Sequence, residues 1–200
     1  MPFPPRIAIA TRNPHKLREI TRICAEWPVG WLTADEDDGR WPDVEETGAT
    51  YHDNARLKAR AVAAALGEPA LADDSGIEVD ALGGRPGPRS ARFAGEDASD
   101  ERNLQELIRA VKGVPGAGRT ARYRCVAVLA WPEGGEIHAE GTCEGVLEPK
   151  PRGTNGFGYD PIFVPAGWDR TMAELTDEEK DRISHRGRAL RALRAALQEG

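Results

Sequence analysis

Ala72-Asp73-Asp74-Ser75-Gly76 sets two carboxylates and a hydroxyl between two apolar runs, and the path of the chain here decides the fold. Pro69 to Ala72 reads as a short buried strand, and Ile77 to Leu82 resumes the extended pattern. The serine and glycine between them predict a turn. Neighbouring carboxylates repel, and holding both near a strand end is unfavourable unless a cation or partner neutralises them. A hard divalent metal such as Mg2+ takes oxygen ligands and would do this. Read alone, the segment is more simply an ordinary acidic turn; its company along the chain gives it weight.

Upstream, Arg6 to Ala10 predicts a first strand, followed by Asn13 as N-cap and Pro14 as first helical residue. Leu17, Ile20, Cys24 and Trp27 form one apolar face of that helix. The acidic stretch from Ala34 to Val44 has no period and predicts a surface loop. Thr50 and Asp53 form a capping pair for a second helix, which runs through Leu57, Ala61 and Leu66 to a stop at Gly67. Downstream, Gly83 to Gly95 is a loop rich in Gly, Pro and Arg. Ser99 caps a third helix with Leu104, Leu107, Ile108 and Val111 on one face. Ala121 to Trp131 alternates, and Gly134-Gly135 turns it back into a strand through Ile137 and Ala139, so the sheet is not purely parallel. A Gly-rich segment follows at 153–160. Thr176 with Glu179 is a capping box for C-terminal helical structure with Leu190, Leu193 and Leu197 as its apolar stripe. These readings give one α/β domain over residues 1–200, built on a mixed sheet.

The 200 residues, 40% hydrophobic and 30% charged, are the composition of a soluble globular protein. No apolar run approaches the roughly 20 residues that span a bilayer, and the N-terminus lacks a secretory layout. Cys24, Cys125 and Cys143 are odd in number and lack metal-site spacing, which predicts reduced thiols and a cytoplasmic protein. A net charge of −6 argues against a general nucleic-acid binder but leaves room for a small anionic ligand at a local basic cluster.

Four constellations carry candidate chemistry. At Thr11, Arg12, Asn13, Pro14, His15 and Lys16 a strand runs into a helix N-terminus, whose amides and dipole favour an anion; a capped surface helix is the alternative. Glu45-Glu46-Thr47-Gly48 precedes Asn54 and Lys58, which share a helix face. One carboxylate of this run would join Asp73 and Asp74 around a metal and Lys58 would neutralise a phosphate, unless the acidic loop and the lysine are simply exposed. In Phe157-Gly158-Tyr159-Asp160, glycines flanking an aromatic let backbone approach a flat ligand, and Asp160 would accept from its ring N–H groups; core aromatics in a glycine turn are the alternative. Lys180 with Ser184-His185-Arg186-Gly187 offers donors within two helical turns, and Arg186 suits a phosphate or a purine carbonyl, if the face is not merely solvated.

In order and spacing, these segments resemble the inosine triphosphate pyrophosphatase family. The matching stretches are Ala10 to Lys16, Glu45 to Gly48, Asn54 to Lys58, Ala72 to Gly76, Ser90-Ala91-Arg92, Gly156 to Pro161 and Ser184 to Gly187. The family often carries a small residue where Arg12 and His15 stand. The resemblance implies an elongated mixed sheet flanked by helices, with two lobes around a central nucleotide-binding cleft, and a homodimer. It implies Mg2+-dependent hydrolysis of ITP, dITP and XTP to the monophosphate and pyrophosphate, with no nucleic-acid or membrane partner. Carried over by motif, Asp74 would be the general base and, with Glu46, a metal ligand. Thr11 to Lys16 would hold phosphates and Ser75 would contact substrate. Phe157, Gly158, Tyr159, Asp160, Lys180, His185 and Arg186 would bind the purine nucleotide, and Lys58 and Asp73 would support the site. Two rivals are a pyrophosphatase for canonical or pyrimidine triphosphates, in the manner of Maf-like proteins, and a nucleotide sensor without turnover.

Overall fold

The computed structural model describes residues 3–34 and 41–199. In chain order its elements are β1 (Arg6–Ile9), α1 (Pro14–Ile23), β2 (Gly30–Leu32), α2 (Tyr51–Leu66), β3 (Ala70–Val79), α3 (Asp100–Val111), β4 (Thr120–Ala130), β5 (Glu136–Leu147), β6 (Phe163–Pro165), α4 (Asp177–Ile183) and α5 (His185–Glu199). The six strands form one mixed sheet in the order β2-β1-β3-β4-β5-β6. β1 pairs in parallel with β2 and β3, whereas β6 pairs antiparallel with β5. The predicted α/β class and mixed sheet are therefore present.

The decisive stretch differs from its reading. β3 runs without interruption from Ala70 to Val79, so Asp73, Asp74, Ser75 and Gly76 lie inside a strand and not in a turn. Neighbours β1 and β4 flank β3 on both sides, and ladder bonding in a central strand overrides the local turn preference of Ser and Gly. The consequence is stereochemical. Successive side chains of a strand point to opposite faces, so the two aspartates are parted by the pleat rather than pressed together.

The chain divides into two compact units. The first comprises Met1–Asp74, Cys125–Gly141 and Arg186–Gly200; the second comprises Ser75–Arg124 and Thr142–His185. In the first unit, strand alternation builds two cores. Ile7, Ile9, Leu71, Cys125, Ala127 and Leu129 face α1 and α5, where they pack with Ile20, Cys24, Leu190, Leu193 and Leu197. Ala8, Ala10, Ala70, Ala72, Val126 and Val128 pack on the other face with Tyr51, Ala55, Ala59, Val62 and Ala63 of α2. Each fully buried Leu or Ile contributes roughly 1.5–3 kcal/mol by leaving water. The alanines of α2 are its inward face, and Leu57 is an exposed residue. Trp27 joins the α1 core from beyond the helix end at Ile23.

The second unit has its own core, in which Ile77, Val79, Leu104, Leu107, Val111, Tyr123, Phe163 and Leu175 meet. The predicted caps hold: Asn13, Thr50, Ser99 and Thr176 each accept from a first-turn amide, and Gly67 ends α2 in the left-handed conformation. A second capping box, Thr171 with Glu174, opens the short 3₁₀ turn at Met172–Glu174. Of the predicted acidic loop, residues 35–40 lie outside the described residues, and residues 41–48 have no regular structure. All three cysteines are buried thiols outside any disulfide. Among the described residues, no helix is long and apolar enough to cross a membrane.

Candidate functional site

In the first unit Asp73 follows Leu71 toward α1 and α5. Its Oδ2 accepts from Arg186 Nε and Nη2 (3.2 and 2.9 Å), lies 3.3 Å from Lys16 Nζ, and meets Cys125 Sγ at 3.7 Å. Arg186 also pairs with Glu19 through Nη1. Burial raises the pKa of Asp73, but Arg186, Lys16 and Lys58 outweigh it and hold the carboxyl far below the usual carboxylate range. The Cys125 thiol is pushed up by burial and by Asp73, which makes it unreactive.

Asp74 follows Ala72 to the opposite face, toward α2. Lys58 Nζ lies 3.5 Å from its Oδ1 and donates to Glu46 Oε1 at 2.8 Å; Asn54 Nδ2 donates to Asp74 Oδ2 at 3.3 Å. Burial raises the pKa of Asp74; Lys58 and Lys16 oppose this, while Glu46 and Asp73 add to it, and the net direction is up. For Lys58, burial favours the neutral amine, but Asp74, Glu46 and Asp73 more than reverse it. A carboxyl with a raised pKa is a stronger base than a free one.

Glu46 and Asp74 thus already converge on one cation, the Lys58 ammonium. Their oxygens are the donor type a hard divalent ion takes, so the residues present fit Mg2+. Among the described residues no cluster of three acidic, His or Cys side chains forms a ready-made cage.

Two expectations for this unit are corrected. Arg186 is 1% exposed and engaged by Asp73 and Glu19, so its guanidinium belongs to the buried carboxylate network and is not presented to a phosphate or a purine carbonyl. The first-turn amides of α1 are not open either. Asn13 Oδ1 accepts from His15 N and Lys16 N, and Thr11 Oγ1 accepts from Asn13 N, while Pro14 has no N–H to offer. What this segment can present to an anion is the partly exposed Lys16, with the side chains of Thr11, Arg12 and His15. Arg12 donates through Nη2 to the Trp41 carbonyl.

In the second unit the Gly-rich segment closes around a buried pair. Lys180 Nζ donates to Asp160 Oδ2 at 2.6 Å, and Phe157 N donates to the same oxygen at 3.0 Å. The ammonium lies 5.2 Å from the Phe157 ring centroid, within cation–π range. Gly156, at φ +73°, passes so close that a β-carbon would come 2.0 Å from Asp160 Oδ2. Asp160 is therefore the clamp of its own loop and does not wait as an acceptor for a base. Tyr159 is likewise a core residue: it is buried, its hydroxyl donates to Ser90 O at 2.6 Å, and burial followed by Asp100 raises its pKa. Phe157 and Gly158 are partly exposed, and Gly158 N donates to Asp100 Oδ2 at 3.3 Å. His185 is buried and stacks on Tyr123 with ring centroids 4.6 Å apart and planes 8° apart. Ser75 sits half-buried in β3.

Sequence reasoning missed Glu19 and Tyr123, and named Cys125 as a thiol and Ser90 within a family-matching stretch without giving either a role here. Glu19 alone carried a local signal, three residues after Lys16 on the same helix face. Ser90 holds the start of this unit by accepting from Ile77 N at 2.9 Å and donating to Gly87 O at 2.6 Å.

Comparison with known proteins follows the whole chain. The Ham1 family profile matches residues 7–196. The chain is 46% identical over 187 residues to a dITP/XTP pyrophosphatase of Halalkalibacterium halodurans, covering 92% of this chain and 95% of that one. It is 49% identical over 192 residues to the dITP/XTP pyrophosphatase of Geobacter sulfurreducens, covering 96% of each. The solved structure of a HAM1 protein from Coxiella burnetii matches with a TM-score of 0.86 at 40% identity, over 98% of this chain and 99% of that chain.

Proposed function

Because the chain belongs to the Ham1 family, we propose that it is a nucleoside triphosphate pyrophosphatase acting on the non-canonical purine nucleotides ITP, dITP and XTP. The observation that carries this reading is Asp74: a buried carboxylate of raised pKa, beside the Lys58 ammonium that also holds Glu46. Its relatives carry the name dITP/XTP pyrophosphatase over more than nine-tenths of the chain.

Water attacks the α-phosphorus, the bond to the β-phosphate bridging oxygen breaks, and pyrophosphate leaves with that electron pair. Asp74 orients the water and takes its proton, a contribution typically worth about 10²–10⁴-fold. Glu46 and Asp74 would hold Mg2+, which when bound would supply charge neutralisation for the triphosphate and the departing pyrophosphate. Lys58 and Lys16 add fixed positive charge against the phosphates.

Phe157 is the residue assigned to the purine. The partly exposed Phe157 ring supplies a stacking face. A hydrogen-bond donor at the 6-position favours the carbonyl acceptor of hypoxanthine and xanthine over the 6-amino donor of adenine, which would be left badly paired. The protein acts in the cytoplasm as a homodimer on a free nucleotide, without nucleic acid or membrane.

The test is to incubate pure protein with Mg2+ and ITP, dITP, XTP, ATP, GTP and CTP, and to identify the phosphate released. Pyrophosphate from the first three well ahead of the rest is expected. Orthophosphate release, or ATP turned over as fast as ITP, would overturn the reading.

A further inference from the structure

We propose that Asn54 is a positioning residue, a latch that fixes Asp74 and the Glu46-bearing segment in one arrangement; this rests on the pyrophosphatase reading above. Asn54 is 1% exposed on α2 and stands one helical turn before Lys58. Its Oδ1 accepts from Gly48 N at 2.8 Å. A backbone N–H can only donate, so the amide oxygen must face Gly48 and the NH2 group must face the strand. There Nδ2 donates to Asp74 Oδ2 at 3.3 Å, while Lys58 approaches Oδ1 at 3.5 Å. Each oxygen of Asp74 thereby has its own donor, both from α2 and four residues apart, which fixes the carboxylate plane.

The other end of the amide holds the segment that carries Glu46, two residues before Gly48. Glu46 Oε1 then reaches Lys58 Nζ at 2.8 Å. One side chain thus sets the spacing between the two carboxylates assigned to the metal. Gly48 permits the close approach, because a β-carbon there would lie 2.6 Å from Asn54 Oδ1 and 2.6 Å from Asp53 Cβ. A role in capping α2 is already filled by Thr50, whose side chain accepts from Asp53 N. Asn54 is left with the task of joining segment to strand.

The test uses Asn54→Ala, the near-isosteric Asn54→Asp and Gly48→Ala in the full chain. Asn54→Asp keeps the acceptor for Gly48 but turns an oxygen toward Asp74, so it separates the donor's role from mere volume. Three readouts are taken: kcat and KM for ITP with Mg2+, Mn2+ affinity by electron paramagnetic resonance without nucleotide, and the thermal midpoint. For all three variants the expected result is a kcat loss of about 10- to 100-fold, a KM within about threefold of wild type and Mn2+ binding weakened several-fold. A lower thermal midpoint with kcat and Mn2+ affinity unchanged would reduce Asn54 to a packing residue and overturn the latch. If Asn54→Ala does not fold, Asn54→Asp decides; wild-type kcat and Mn2+ affinity in that variant overturn the proposal. Should the wild type release no pyrophosphate from any nucleotide, the functional reading fails by itself, and Mn2+ affinity across the variants still judges the latch.

Discussion

The two units handle buried charge in opposite ways. In the first, the carboxylates Asp73, Asp74, Glu19 and Glu46 are met by Lys16, Lys58 and Arg186, drawn from α1, α2 and α5 on both faces of the sheet. In the second, one acid meets one base, Asp160 with Lys180, twenty residues apart in the chain and bonded into the same loop. Exposure separates the cations by task. The side chains of Lys16 and Lys58 stay 15% and 13% exposed, whereas Arg186 and Lys180 fall to 1% and 3%. The first pair can meet an incoming anion. The second pair holds the scaffold, because a charge enclosed by its partner loses most of its interaction by leaving it.

The largest effect should come from the two neighbours the pleat has parted. Asp74→Asn keeps the shape of the side chain and removes the base, so kcat for ITP should fall about 10²–10⁴-fold while the unfolding midpoint stays close to wild type. Asp73→Asn should do the reverse in kind. It leaves Arg186 buried beside Glu19 alone, and losing one member of a buried pair typically costs about 3–5 kcal/mol, read by urea unfolding. If Asp74→Asn also lost several kcal/mol of stability, the division of labour between the aspartates would be wrong.

The same pair shows what was legible in the chain. Asn13-Pro14, Thr50 with Asp53, Ser99 and Thr176 with Glu179 were readable because a cap is a bond between residues two or three apart. The Asp-Asp segment was located correctly and given the wrong geometry. Ser75 and Gly76 favour turns locally, and only the strands on either side of β3 make them extended. Arg186 was misassigned for a related reason: its partners Asp73 and Glu19 lie 113 and 167 residues away, beyond the reach of any local pattern. The inward face of α2 carried no hydrophobic signal, because the helix buries alanines, which bring it close to the sheet, and leaves Leu57 exposed.

The second unit offers a sharper test of one-to-one pairing. Lys180→Met strands the Asp160 carboxylate and should cost about 3–5 kcal/mol, whereas adding Asp160→Asn should restore much of that loss. No single further change should rescue Asp73→Asn, since Arg186 and Lys16 both face that position. Gly156→Ala attacks the same clamp from the backbone. A non-glycine residue at φ +73° costs about 1–3 kcal/mol in strain, and its β-carbon would press on Asp160 Oδ2 and on Lys180 Nζ, 2.8 Å away. Its urea midpoint should therefore fall without Asp160 or Lys180 being altered, and an unchanged midpoint would mean the loop gives way freely.

The smallest effect belongs to a surface pair of the second unit, and it tests whether that unit's exposed charges matter at all. Arg170 donates to Glu179 at 3.1 and 2.6 Å, and Glu179 closes the Thr176 capping box by accepting from Thr176 N. The Arg170 hydrogen bond, then the Thr176 backbone bond, lower the Glu179 pKa from 4.5 to about 2. A carboxyl whose pKa is lower folded than unfolded adds stability that is fully present above the unfolded value and disappears as pH falls through the folded one. Glu179→Gln should thus melt slightly below wild type at pH 7. The gap should hold down to about pH 4.5 and close as the pH falls toward 2, because protonated Glu179 and glutamine are then nearly alike. Solvent and salt screen this pair, so the gap at pH 7 should also shrink in high salt. A gap that ignored both pH and salt would assign the effect to the helix cap alone.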